Sequence, residues 1–70
     1  MPYQPIYNLP ISQAEAVEIA LRQVNGTVVK VELDTENGRW VYEIGIREGF
    51  VYYEVIVDAT TGQIIGIDYD

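Results

Sequence analysis

Histidine and cysteine are absent from this 70-residue chain, and each absence removes a group of functions. Without histidine there is no ordinary general base near neutral pH, no Ser-His-Asp arrangement and no imidazole metal site. Without cysteine there are no disulfides and no thiolate chemistry. Basic residues are also scarce: four Lys and Arg against eleven Asp and Glu give a net charge of -7. That charge repels phosphate backbones and anionic lipid headgroups, which argues against nucleic acid and favours a basic partner. No run approaches the roughly 20 apolar residues of a membrane span, and the N-terminus lacks the basic and apolar regions of a signal peptide. Direct membrane insertion is therefore not expected.

What is present is strand-forming material. The hydrophobic fraction is 49%, rich in Val, Ile and Tyr, which indicates a folded globule. A chain this short makes one domain and buries only about 60% of the surface its unfolded form exposes, so a shallow surface site is more plausible than a deep cleft.

The three prolines, Pro2, Pro5 and Pro10, fall in MPYQPIYNLP, which reads as an extended proline-rich strap over residues 1–10, with a single domain over 11–70. ISQAEAVEIALRQVNG reads as a helix. Ser12 stands at the N-cap position with Glu15 three residues on, a capping box. Val17, Ala20, Leu21 and Val24 recur on one face, and Gly26 is expected to close the helix in a left-handed conformation.

From Thr27 the period becomes two, and turn signals at Asn37-Gly38, Glu48-Gly49 and Thr60-Thr61-Gly62 divide the remainder into four strands. The expected fold is α+β: one N-terminal helix packed on a four-stranded antiparallel meander sheet. Pairing Glu36 with Arg39 sets Leu33 against Tyr42, Val31 against Ile44 and Val29 against Ile46. A second turn pairing Arg47 with Phe50 sets Ile44 against Tyr53, Tyr42 against Val55 and Trp40 against Val57. A three-residue loop with Gly62 left-handed sets Ala59 against Gln63, Val57 against Ile65, Val55 against Ile67 and Tyr53 against Tyr69.

The same register lays Glu32, Glu43, Glu54 and Asp68 in a row on the opposite face, although like charges side by side oppose folding. A solvated acidic face and a surface for a cation or basic partner are the two readings. Val41, Phe50, Tyr52 and Ile56 fall between the acids, more apolar surface than solvent contact requires. The candidate occupants are the strap, a second copy forming a homodimer, or a protein target. Glu43, Glu54 and Asp68 are weak candidates for a loosely held metal ion, since no calcium-loop pattern occurs. Paired carboxylates could suit glycoside hydrolysis, but a flat sheet face has no walled subsite, and Ser12, the single serine, is used in the cap. No phosphate-cradling glycine loop is present. No enzyme activity and no cofactor are expected. Asp58 is placed to accept hydrogen bonds from Thr60 or Thr61 in an Asx-type turn and to face Arg39.

Ile11, Ser12, Ala16, Ala20 and Gly26, the runs VVKVEL and WVYEIGI, and above all YYEVIVDATTGQII resemble the PepSY domain family over residues 11–69. The resemblance implies a helix on an antiparallel sheet, as in the propeptides of thermolysin-type metallopeptidases and in bacterial envelope or secreted proteins. It implies a non-catalytic module that inhibits or restrains peptidases, its partner a secreted metallopeptidase or its own parent chain. Asp58 and Gly62 match the family's turn. The rival reading is a structural or sensory module of an envelope protein with no peptidase target.

Overall fold

A computed structural model describes residues 9–70. Helix α1 (Gln13–Gln23) precedes strands β1 (Thr27–Glu36), β2 (Arg39–Glu48), β3 (Val51–Asp58) and β4 (Ile64–Tyr69). The strands form one antiparallel sheet in the order β1-β2-β3-β4. Apart from Leu9 and Pro10, the strap expected over residues 1–10 lies outside the described residues.

α1 begins where the capping chemistry places it. The Ser12 hydroxyl accepts from the Glu15 backbone N–H at 3.1 Å, and Glu15 Oε1 accepts from the Ser12 N–H at 2.8 Å. Such a box satisfies two otherwise orphaned donors and contributes about 1 kcal/mol. The buried stripe is centred on Ala16, Ala20 and Val24, while Val17 and Leu21 are half-buried beside it. Two alanines four residues apart let the helix approach the sheet closely.

The end of the helix corrects an expectation. Val24 is the C-cap in an extended conformation, and Gly26 is not among the residues with positive φ. A Cβ on Gly26 would lie 2.5 Å from the Arg47 carbonyl oxygen and 2.8 Å from Ile46 Cγ2. Glycine is needed there because the chain leaving the helix runs against β2.

Beneath the helix lie Tyr42, Ile44 and Ile46 from β2, Val55 and Val57 from β3, and Ala59, flanked by Val28, Val31, Leu33, Trp40 and Tyr53. The β1–β2 turn has Asn37 at φ 51° and Gly38 at φ 79°, the double left-handed pattern of a type I′ hairpin, closed by Glu36 and Arg39. The second turn differs from expectation. Its loop is Gly49-Phe50, with Gly49 at φ 62°, and Glu48 faces Val51. Glycine at the first loop position is the type II′ signature, and it moves every β2–β3 pair by two residues. Ile44 meets Val55 instead of Tyr53, Tyr42 meets Val57 instead of Val55, and Trp40 no longer faces Val57. A shift of two leaves every side chain on its own face.

Two bulges make the remaining differences. On β1 the register slips between Val28 and Lys30, so Val28, not Val29, faces Ile46, and Val29 is exposed. On β4, Ile64 rather than Ile65 meets Val57, while Val55–Ile67 and Tyr53–Tyr69 pair as expected. Adjacent apolar residues, Val28-Val29 and Ile64-Ile65, allow either member to turn inward, and alternation alone does not choose between them.

Candidate functional site

On the face away from α1 the two-residue shift breaks up the expected carboxylate row. Glu32 faces Glu43 and Glu54 faces Asp68, but Glu43 lies opposite Ile56, and Glu54 lies opposite Gly45. Lys30 also pairs with Gly45, from the other side. With no side chain on Gly45 in the way, Lys30 Nζ donates a hydrogen bond to Glu54 Oε2 and stands 3.9 Å from Glu32 Oε1. This bond is the main reason the ammonium holds its proton above its ordinary pKa. The lysine went unnoticed in sequence reasoning because the assumed register placed Glu43, not Gly45, beside Glu54. The available signal was its position two residues before Glu32, which puts both on one face.

The cations are thus interleaved with the acids. Arg47 holds its guanidinium 5.6 Å from the centroid of the Tyr52 ring. Tyr52 lies over Gly45, where an added Cβ would meet its ring carbon Cζ at 2.9 Å. Three of the four basic residues, Lys30, Arg39 and Arg47, therefore serve this face. Among the described residues no cation stands at ion-pair distance from Glu43. Partial burial raises its pKa first, and the charges of Glu54 and Asp34 raise it further. Among the described residues no group of three or more Asp, Glu, His or Cys side chains is gathered to hold a metal ion.

The apolar candidates separate as well. Val41 is fully buried and Ile56 nearly so, with Ile56 Cγ1 3.8 Å from the position of a Cβ on Gly66. Phe50 is not on the sheet face. It occupies the tip of the β2–β3 turn, fully exposed. A shallow groove of about 210 Å³ opens beside β4, lined by Tyr52, Glu54, Asp68, Tyr69 and Asp70. The groove exists because β4 continues beside Tyr52, which exchanges backbone hydrogen bonds with Asp70 at 3.2 and 2.9 Å.

Asp58 is a turn residue with little exposed surface. Its Oδ1 accepts from the backbone N–H groups of Thr60 at 2.7 Å and Thr61 at 3.1 Å, and Arg39 Nη1 donates to Oδ2 at 3.2 Å. In register Asp58 faces Val41, so Arg39 reaches it diagonally. The two backbone bonds, ahead of Arg39, hold its carboxyl below the ordinary aspartate value of 3.8. A depressed folded-state pKa adds stability above the unfolded value, and that stability is lost as pH falls through the folded one. Asp58→Asn, which keeps an amide oxygen for the turn but removes the charge, is expected to melt below the wild type at pH 7. The gap should close as the pH falls below about 3.8. A gap that widens on acidification would contradict this assignment.

Among the described residues no helix is long and apolar enough to cross a membrane. The Ser12 hydroxyl is engaged in the helix cap, and Lys30 with Glu54 and Arg39 with Asp58 form ion pairs.

Comparison with known proteins agrees with the fold. The Bacillus subtilis (strain 168) protein YkoJ, which is uncharacterized, is 39% identical over 62 residues, covering 86% of this chain and 36% of YkoJ. The crystal structure of a Clostridium difficile 630 protein provisionally described as a lipoprotein superposes with a TM-score of 0.86 at 27% identity, covering 96% of this chain and 44% of that one. This chain thus spans less than half the length of either protein. Residues 10–68 match the PepSY family model, "Peptidase propeptide and YPEB domain". Helix, meander, turn chemistry and this match together place the chain in the PepSY family.

Proposed function

We propose that this domain is a non-catalytic protein-binding module of a secreted or envelope-associated bacterial protein, restraining either a metallopeptidase or the remainder of a longer parent polypeptide. The observation that carries this reading is the family match across residues 10–68, in a family described by its peptidase propeptides. The flat, ion-paired sheet face and the shallow groove supply a recognition surface of the kind such a role uses. The lipoprotein description of the Clostridium difficile structure supports an envelope location.

The test is a titration of thermolysin-type secreted metallopeptidases with the purified domain. Slowing of one of them at stoichiometric amounts, with a complex detected by gel filtration, is the expected result. Neither slowing nor a complex with any of them would leave the second reading, a structural or sensory module of an envelope protein, which the same structural relative favours.

A further inference from the structure

β4 is an edge strand, and among the described residues no strand lies on its outer side. The exchanged pair Tyr52–Asp70 sets the alternation along β3 and β4: Glu54–Asp68 bonds across the ladder, so the backbone N–H and C=O of Ile67 and Tyr69 point outward. The other edge is blunted, with a bulge at Val29 and with Lys30, Asp34 and Glu36 along it. From Gly66 to Tyr69, β4 has neither proline, nor lysine, nor bulge.

The side chains along this open edge are sorted by face. On the helix side Ile67 is 41% exposed and Tyr69 75%, because α1 packs over β1, β2 and β3 instead. On the opposite side stand Asp68 and Asp70, with Glu54 behind Asp68 and the acidic groove between them. An added strand would therefore meet apolar surface on one face and carboxylates on the other, at the two-residue spacing of its own side chains.

We propose that the β4 edge binds an extended peptide segment in which apolar and basic residues alternate, adding it to the sheet as a fifth strand. Charge complementarity selects this occupant over a second copy of the chain, since each copy carries -7 and would bring its own Asp68 and Asp70 to the junction. The inference rests on the protein-binding reading above and names the chemistry of the segment recognised.

The experiment titrates the ¹⁵N-labelled full chain with the peptide Lys-Val-Lys-Val-Lys-Val-Lys. The expected result is a shift of the Ile67 and Tyr69 amide signals together with their slowed hydrogen exchange. Affinity should fall at least tenfold for Asp68→Lys, for Ile67→Pro, and for the same peptide N-methylated at alternate residues. The N-methylated peptide keeps charge and side chains, so it tests the ladder even where a variant fails to fold. Equal binding of that peptide, or of Glu-Val-Glu-Val-Glu-Val-Glu, would overturn the proposal. So would binding that appears only after residues 1–8 are removed, which would make the chain's own N-terminal segment the occupant. Self-association through β4 with no response to peptide would assign the edge to a second copy. Peptide binding without slowing of any peptidase would sink only the peptidase reading; slowing without peptide binding would sink only the edge proposal.

Discussion

Ile44→Lys is expected to leave the chain unfolded at all temperatures, with collapsed amide dispersion and no cooperative melt. Ile44 is fully buried at the centre of β2, between Val31 and Val55, in one cluster with Ala16 and Ala20 of the helix. Losing an aliphatic side chain at such a position costs about 2–5 kcal/mol, and enclosing an unpaired ammonium costs several more. A domain of this size has roughly 4–10 kcal/mol in total, so the loss reaches its whole stability.

The neighbouring substitution Glu43→Lys is the control, because one residue along a strand is the other face of the sheet. Glu43 faces Glu32, and the charges of Glu54 and Asp34 act on it as well, against one nearby lysine. Its carboxyl has a raised folded-state pKa, so the wild type gains relative stability as pH falls through that value and loses it again on neutralisation. Glu43→Lys should fold, raise the urea midpoint at pH 7 by the equivalent of a few tenths to about 1 kcal/mol, and lack this component of the pH dependence. A folded Ile44→Lys beside an unfolded Glu43→Lys would mean that the two sheet faces had been exchanged.

Gly26→Ala has the second-largest expected effect for a small chemical change. The new methyl would lie 2.5 Å from the Arg47 carbonyl oxygen, a backbone atom that cannot rotate away. Either the helix exit or the start of β1 must move, at about 1–3 kcal/mol, the usual cost of forcing a group into filled space. With a urea slope of about 1 kcal/mol per molar for a small domain, the midpoint should drop by about 1 M or more. Gly38→Ala separates crowding from backbone strain. Its Cβ would meet nothing within 4 Å, yet φ is 79°, so its cost is conformational, about 1–2 kcal/mol. A Gly26→Ala midpoint within error of the wild type would show that the helix exit has slack.

Much of this architecture is legible in the chain because it depends on local chemistry. Ser12 with Glu15 starts the helix, and Asn37-Gly38 makes the first hairpin, since the groups involved are three residues apart or adjacent. The inward face of β2, with Tyr42, Ile44 and Ile46, follows from alternation. The site was less legible for the same physical reason. Whether Glu54 lies beside Glu43 or beside Gly45 depends on whether the second hairpin closes at Arg47 and Phe50 or at Glu48 and Val51. Both choices bury the same residues.

By itself the sequence determined the element order, the helix cap, the turn positions to within a residue, and which side chains of β2 and β3 face inward, because each follows from short-range bonding or a period of two. Only the tertiary structure decided which inward residue meets which, that Gly26 is a contact and not a cap, and that Lys30 reaches Glu54 across Gly45. A two-residue slip is silent in the hydrophobic pattern, and charge pairing across strands depends entirely on it.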